Sequence, residues 1–273
     1  MRTYQQLMLW GGLSLLAACN PSDSNDIQTE KLILTATLYA DGSTAKIKAA
    51  LGKEKSTVVV VLNGGDYLQV SDGKTTSIME FQDSLINNIN YRQTLPLNLL
   101  NSYSISLNRP TQNTVFSSTF PVIPDSFAIV FPINLQTISA TSQPILNVQW
   151  DNKVNSEKLT LTHDYQCTWT ANPAVINEEK ITVNQLNSNS HHMLELDTIQ
   201  RSQRTASLSL NNEINDMKST LITRYPTTTL TLNQCSLNIE LAAKNSTQAH
   251  SEFSNQSRLY SVREYPINIT LTP

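Results

Sequence analysis

The stretch KLTLTHDYQCTW, residues 158–169, decides the fold of this chain. Its apolar and aromatic side chains share one parity, namely Leu159, Leu161, Tyr165, Cys167 and Trp169. Successive side chains of a β-strand point to opposite faces, so this period of two predicts a strand with one buried face. The stretch CSLNIELA, residues 235–242, alternates in the same way. Both stretches predict an all-β protein built from half-buried, antiparallel strands.

Composition and charge agree with that class. Of the 273 residues, 39% are hydrophobic and only 15% are charged, which suits short strands with polar turns better than a helical bundle. The formal net charge of −3 gives no reason to expect nucleic acid as a partner. The chain has only 7 glycines, which argues against glycine-rich phosphate-binding loops. No cofactor is predicted.

Strand patterns continue on both sides of residues 158–169, and they divide the chain into two halves. The segment PVIPDSF, residues 121–127, is the predicted boundary because two prolines in four residues cannot lie within a central strand. We therefore predict two tandem antiparallel β-sandwich domains, at 31–121 and 127–273. The second has an immunoglobulin-like opening, in which a strand ends at Pro132 and the alternating strand ILNVQW carries Trp150.

Turns and loops are predicted from local residue types. The residues Asp41-Gly42-Ser43 separate two strand-like runs and predict a hairpin, as do Asp72-Gly73. The asparagine-rich stretches 184–189 and 211–216 are predicted to be loops. The two halves are not convincing sequence repeats of each other.

The N-terminus carries an export signal. Arg2 precedes an apolar run at 7–18 that is too short to cross a bilayer core of about 30 Å as a helix, so residues 1–18 are predicted to be a signal peptide. The four residues Leu16-Ala17-Ala18-Cys19 resemble the lipobox of bacterial lipoproteins. The alternative is an ordinary signal peptide with an incidental cysteine.

The lipobox resemblance implies how and where the protein is held. It implies lipidation of the Cys19 thiol, cleavage before Cys19 and acylation of the new amino group, and two or more acyl chains anchor a protein firmly. Asn20 follows the cysteine, which by analogy with lipoproteins of Gram-negative bacteria favours the outer membrane. Residues 19–30 are predicted to form a polar tether between lipid and fold. The predicted location is therefore the cell envelope, on its periplasmic or its surface side.

Cys167 and Cys235 remain once Cys19 is assigned to lipid. Export places them in an oxidising compartment, where a pair is expected to close into a disulfide. A bridge over so long a loop contributes about 4 kcal/mol to stability. The alternative is a redox or metal-binding thiol pair, but the chain has no CxxC motif to support it.

The longer motifs resemble a known family as a group. These motifs are VVLNGGDYLQV, SYSISLNRP, FPVIPDSFAIVFP, LNVQW, the pair Cys167 and Cys235, and NQSRLYSVREYPINITLTP at the C-terminal end. Together they resemble a family of uncharacterised bacterial lipoproteins with two β-sandwich-like halves. The resemblance implies a layout and supplies no catalytic residues.

Residues that could carry chemistry are few. His191 and His192 are adjacent, and adjacent strand residues point to opposite faces, so they predict solvated loop histidines and not a zinc site. His163-Asp164 could belong to a hydrolytic triad, but no G-x-S-x-G motif supplies a serine. We predict no catalytic residue and no metal ligand.

Two further motifs have competing interpretations. The sequence NGGD, residues 63–66, could be a phosphate nest. A simple turn is the more economical interpretation, because a strand and not a helix follows. Trp150 and Trp169 could form a sugar-stacking platform, but their apolar neighbours of the same parity favour the core.

The sequence therefore predicts a non-enzymatic, lipid-anchored envelope protein that binds a protein or glycan partner or has a structural role. One alternative is an envelope hydrolase with a dispersed site, which requires His163, Asp164 and a serine to meet in one cleft. Another is an inhibitor or assembly factor that docks by strand addition, which requires a long, unprotected edge strand.

Overall fold

The computed structural model of the protein describes residues 22–56, 58–82, 90–177 and 179–273. The signal peptide predicted at 1–18 and the lipidation site predicted at Cys19 lie outside these residues. Within them, the fold is all-β with several antiparallel sheets in sandwich packing, as predicted. No helix of the described residues is both long and apolar enough to cross a membrane.

The described chain contains eighteen strands, two α-helices and three single-turn 3-10 helices at Ser24–Asp26, Thr29–Lys31 and Pro110–Gln112. In the N-terminal half the strands are β1 (Ser22–Asp23), β2 (Leu32–Asp41), β3 (Thr44–Lys53), β4 (Val60–Val61), β5 (Tyr67–Ser71), β6 (Thr76–Ile78), β7 (Glu80–Gln82), β8 (Asn90–Pro96), β9 (Ser104–Arg109) and β10 (Thr114–Thr119). In the C-terminal half the elements are β11 (Ile129–Phe131), β12 (Thr137–Ser139), β13 (Ile145–Trp150), β14 (Lys158–Ile176), β15 (Thr182–Glu195), α1 (Thr198–Gln203), β16 (Thr205–Ser209), α2 (Leu210–Arg224), β17 (Thr229–Gln248) and β18 (Arg258–Thr272).

One large sheet runs through both halves of the molecule. Its strand order is β15-β14-β17-β18-β2-β3-β8-β7, and the short β12 pairs with the end of β18. The first half of β18 pairs in parallel with β2, so that Arg258 lies opposite Thr35 and Arg263 lies opposite Ala40. The β17–β18 hairpin therefore joins the two halves through main-chain hydrogen bonds.

Two smaller layers cover one face of this sheet. The sheet β10-β9-β5-β6 packs over its N-terminal part, whereas the sheet β11-β13-β16 and helix α2 pack over its C-terminal part. Two hydrophobic cores result, because each half-buried strand turns its apolar side chains toward its own covering layer. The N-terminal core also contains Ala249, Phe253 and Leu259, which come from the β17–β18 connection and the start of β18.

The stretch 158–169 lies in β14 and buries the face that its alternation predicts. Leu159, Leu161, Tyr165 and Trp169 are all buried on the core face of β14. Cys167 lies directly opposite Cys235 on β17 and forms the predicted disulfide with it, at a Cα–Cα distance of 4.0 Å. The bridge therefore joins adjacent strands of one sheet.

Local predictions had mixed outcomes. The hairpin at residues 41–43 joins β2 to β3, and the hairpin at Asp72-Gly73 joins β5 to β6. The loop predicted at 184–189 was wrong, because these residues lie within β15. The loop predicted at 211–216 was also wrong, because they lie in α2.

Helix α2 exists because its apolar residues keep a helical spacing. Leu210, Ile214, Met217 and Leu221 are all buried and lie on one face. The asparagines that predicted a loop lie on the solvent face, where side-chain type has little influence on packing. Tertiary burial thus outweighs the weak helix propensity of asparagine.

The N-terminal segment packs against the first core from Ser22 onward. Ser24, Ile27 and Thr29 are buried, so the described part of the predicted tether is folded onto the protein. A buried guanidinium holds it: Arg109 donates hydrogen bonds to the carbonyl oxygens of Ser24 and Ile27, at 2.7 and 3.0 Å. This contact network is absent from any local sequence pattern, since it joins residues about eighty positions apart.

Candidate interaction edge

Strand β15 forms one edge of the large sheet. It is 14 residues long, and within the described chain it pairs with β14 alone. An edge strand has unpaired N–H and C=O groups along its free side, which can pair with another chain. The opposite edge of the sheet, β7, is only 3 residues long. The long edge is therefore at β15.

Several residue types that commonly protect an edge are missing from β15. Its sequence, TVNQLNSNSHHMLE, contains no proline, glycine, lysine or arginine. Its only carboxylate, Glu195, is the last residue of the strand. Natural sheets block exposed edges with short strands, lysines, prolines or inward-pointing charges. β15 thus fits the edge that the strand-addition alternative requires.

The two faces of β15 differ because its side chains alternate. Gln185, Asn187, Asn189 and His191 lie on the outer face of the large sheet, opposite polar residues of β14. Leu186, Ser188, Ser190 and His192 lie on the inner face, opposite core residues of β14. A strand added beside β15 would therefore meet polar side chains outside and partly apolar ones inside.

Helix α2 supports the inner face of β15. The Trp169 indole donates a hydrogen bond to Ser188 Oγ at 2.9 Å, and Ser188 Oγ lies 3.4 Å from Met217 Sδ of α2. His192 Nε2 lies 2.7 Å from Glu213 Oε2, also on α2. The edge is consequently fixed from one side while its backbone faces solvent.

Apolar side chains flank the edge at both ends. Ile176 and Ile181 are exposed where β14 turns into β15, and Met193 and Leu194 are exposed near its other end. Between them lies an uncharged, amide-rich stretch. An open depression of about 470 Å³ is lined by Asp164, Tyr165, Gln166, Asn189, Ser190 and His191.

His163 and Asp164 do not meet in one cleft. His163 faces inward and stacks on His192 at a ring-centroid distance of 5.1 Å, whereas Asp164 faces outward and contacts His191. The two residues of the His163-Asp164 pair therefore lie on opposite faces of the sheet.

Ser190, His192 and Glu213 do meet, but not as a triad. Ser190 Oγ lies 2.5 Å from His192 Nε2, and Glu213 Oε2 approaches that same nitrogen. A triad histidine needs the nucleophile on one ring nitrogen and the carboxylate on the other, so that it can accept the proton while it is held in place. This arrangement is explained by the packing of α2 on β15.

The environment of His163 lowers its pKa. Burial is the main cause, and the neighbouring His192 adds to it, while Glu213 and Asp164 act in the opposite direction. Its Nδ1 atom has no hydrogen-bond partner among the described residues. Those residues also contain no group of three or more histidine, cysteine, aspartate or glutamate side chains that could hold a metal ion.

Other residues singled out in the sequence have structural positions. Trp150 and Trp169 are buried in the C-terminal core. The NGGD segment forms a turn in which the Asp66 amide donates to the Asn63 carbonyl, at 3.1 Å. Asp66 itself was missed as a structural residue: its carboxylate is buried and accepts from Arg109 Nε at 3.1 Å and from Ser24 Oγ at 2.9 Å.

The chain matches no protein-family model. A search of curated proteins also found no match. Among solved structures, it is similar to a chain described as "Cytokine receptor complex - Crystal form 1A", with 8% sequence identity and a TM-score of 0.25 over 85% of this chain and 94% of that one. A likeness that weak supports no conclusion about this protein.

Proposed function

We propose that the protein is a non-enzymatic, lipid-anchored component of the bacterial cell envelope that binds a protein partner by strand addition along β15. The observation that carries the binding mode is the 14-residue edge without a proline, glycine, lysine or arginine. Main-chain hydrogen bonds give a strand-addition complex its affinity, and side-chain pockets on alternate residues give its specificity. The partner and the outer-membrane location are part of this proposal.

The chemistry of the edge restricts the partner. The occupant is an extended protein segment, because only a polypeptide offers backbone donors and acceptors at the strand repeat of about 3.3 Å. The uncharged centre of β15 disfavours a charged segment, which would lose hydration without gaining an ion pair. The exposed Ile176, Ile181, Met193 and Leu194 favour apolar residues near both ends of that segment.

Site-specific photocrosslinking in intact cells tests the edge. A benzophenone amino acid is placed in turn at Gln185, Asn187 and Asn189, which share the outer face of β15. We expect all three positions to crosslink to the same protein. Each move of two residues along β15 should shift the crosslinked site on the partner by two residues. Ser236, on the same outer face but on the interior strand β17, is the matched control and should give no adduct.

Charge on the edge gives a second measurement. Asn187→Lys should abolish the crosslink from Asn189, because a lysine on an edge opposes pairing. Ser236→Lys adds the same charge away from the edge and should leave the crosslink intact. Equal crosslinking from Asn187 and Ser236, or adducts without the two-residue spacing, would overturn the binding mode.

The anchor is tested separately with Cys19→Ser. This variant should be released from membranes into the soluble fraction. The protein that keeps Cys19 should sediment with the membranes, because two or more acyl chains hold a protein at a bilayer. Continued sedimentation of the variant would refute lipidation at Cys19.

A further inference from the structure

We infer that one end of the molecule rests on the membrane surface and that the β15 edge projects away from it. This inference rests on the proposed lipidation of Cys19 and adds an orientation to it. The surface concerned, called the N-terminal tip, consists of Ser22, the residues 30–31, the turn at 53–56 and the β17–β18 connection at 249–257.

The chain enters the fold at this tip. The Ser22 amide donates to the Val59 carbonyl at 3.2 Å, and Val59 in turn forms a bridge with Gly52 near the end of β3. At the same end, the Glu54 amide donates to the Lys31 carbonyl at 2.9 Å. β1 then runs from Ser22 into the body of the N-terminal half, parallel to β4.

The β17–β18 connection lies at the same end. The Ser254 amide donates to the Leu32 carbonyl at 2.9 Å, and the Leu34 amide donates to Ser257 Oγ at 2.9 Å. β17 therefore ends, and β18 begins, beside the point where the N-terminal segment enters. The tip thus contains the end of β17, the longest strand of the described chain.

Buried contacts fix the N-terminal segment up to its first described residues. The Arg109 guanidinium, with 0% of its side chain exposed, binds the Ser24 and Ile27 carbonyl oxygens and donates to Thr29 Oγ1 at 2.9 Å. Releasing the segment would take these acceptors away from the buried cation, which is strongly unfavourable. The segment therefore does not act as a flexible spacer.

Gly64 packs closely against the N-terminal segment at Asn25. It has a φ of +65°, and a Cβ at this position would collide with the Asn25 side chain. The turn at 63–66 thus lies directly against the N-terminal segment. This close approach, together with the Arg109 contacts, leaves only the link from Cys19 to Ser22 to separate lipid from fold.

That link is short. Three residues span at most about 11 Å when fully extended. A lipidated Cys19 lies at the lipid surface, so the tip must lie within about that distance of the headgroups. The three lysines of the tip, Lys31, Lys53 and Lys55, are balanced by three carboxylates, those of Glu30, Glu54 and Glu252. The contact therefore depends on the anchor and not on anionic lipid.

The register of the large sheet places β15 away from the tip. Glu195 and Ala242 both lie level with Thr160, and Gln185 and Thr231 both lie level with Thr170. β17 reaches the tip at Gln248. At about 3.3 Å per residue, the edge from Glu195 to Gln185 lies roughly 20 to 56 Å from the tip along the strand axis. The molecule thus presents its free edge to a partner in the periplasm or at the cell surface.

Energy transfer to labelled lipid tests this orientation. A donor dye is attached at Lys55→Cys, in the tip turn, or at Thr229→Cys, at the far end of β17, in the lipidated, full-length protein. Both positions are exposed, and the native Cys167–Cys235 bridge leaves the introduced thiol free to react alone. The protein is reconstituted in phosphatidylethanolamine vesicles with an acceptor dye on the headgroup.

We expect transfer from position 55 to be several-fold more efficient than transfer from position 229. A long glycine–serine insert between residues 21 and 22 should reduce the transfer from position 55 while the protein still floats with the vesicles. Equal transfer from both positions, or no effect of the insert, would overturn the orientation. Failure to float with the vesicles at all would instead refute the lipid anchor, so the two failures are distinguishable.

Discussion

Arg109 and Asp66 form an ion pair whose side chains have no exposed surface. Such a pair contributes little by itself, because desolvation of two charges offsets their attraction. Its importance lies in what depends on it, since the same guanidinium holds the residues that follow the predicted anchor. At the residue scale, removing one partner is the costly change, because it leaves a buried charge without compensation.

We therefore expect Arg109→Met to lower the free energy of unfolding by about 3–5 kcal/mol. Urea denaturation followed by circular dichroism measures this loss. The double variant Arg109→Met/Asp66→Asn should lose less than the single variant, because the unpaired carboxylate is gone. Lys158→Met is the control, since its pair with Glu195 is more than half exposed and should be worth about 1 kcal/mol or less. A loss for Arg109→Met as small as that of the control would contradict the argument.

His163 predicts a dependence of stability on pH. Burial lowers its pKa in the folded protein, so the unfolded chain gains a proton first, near its ordinary pKa of about 6.5. Its contribution to stability is thus fully present above about pH 6.5 and is lost as the pH falls through the lowered folded pKa. Glu213 and Asp164 raise the pKa and limit the size of the effect.

The variant His163→Phe should remove this contribution. Its urea midpoint should fall less than that of the unmodified protein between neutral pH and about pH 5, where histidine titrates. His250→Gln, at an exposed site, is the control and should keep the full decrease. Identical pH profiles for the unmodified protein and His163→Phe would refute the assignment to His163.

At the scale of single elements, β14 and β17 form the centre of the C-terminal half. They pair along most of their length and carry one cysteine each. The disulfide joins positions that are already neighbours in the sheet, so it adds no new contact to the folded state. Its stabilisation comes mainly from restricting the unfolded chain over a sequence separation of 68 residues.

Replacing both cysteines, with Cys167→Ala/Cys235→Ala, should therefore lower stability by about 4 kcal/mol without changing the fold. The shift of the urea midpoint measures the loss, and the far-ultraviolet circular dichroism spectrum should stay the same. Reductant should destabilise the unmodified protein by a similar amount and should leave the double variant unaffected. A variant as stable as the unmodified protein would show that the bridge restricts little in the unfolded chain.

At the scale of the whole molecule, the two cores share the long strand β18. Leu259 at its start is buried in the N-terminal core, while Ile267, Ile269 and Leu271 farther along it are buried in the C-terminal core. Unfolding either half therefore removes a strand partner from the other. Two hydrophobic cores joined in this way should behave as one cooperative unit.

We expect a single transition in differential scanning calorimetry, with equal calorimetric and van't Hoff enthalpies. Leu34→Ala in the N-terminal core and Leu161→Ala in the C-terminal core should each shift that one transition to lower temperature, because each removes about 2–5 kcal/mol of core packing. Two resolved transitions, with each variant shifting only one, would show that the halves unfold independently.

The sequence by itself determined the strands with a regular period of two, the hairpins at residues 41–43 and at Asp72-Gly73, and the pairing of Cys167 with Cys235. These features follow from local rules, since alternation and turn residues act over a few positions. The same rules were wrong at β15 and α2. The inner face of β15 carries small polar residues in place of a continuous apolar row. In α2, the asparagines on the exposed side are typical of loops and outweighed the apolar residues of the buried side in the prediction.

Only the tertiary structure decided which strands meet. The parallel pairing of β18 with β2, the burial of Arg109 against Ser24 and Asp66, and the free edge of β15 all join residues far apart in the chain. No local pattern encodes them, because each depends on the free energy gained when the whole sheet and its two covering layers bury their apolar faces together. The sequence thus determined what each strand buries, and the assembled sheet determined which edge remains open.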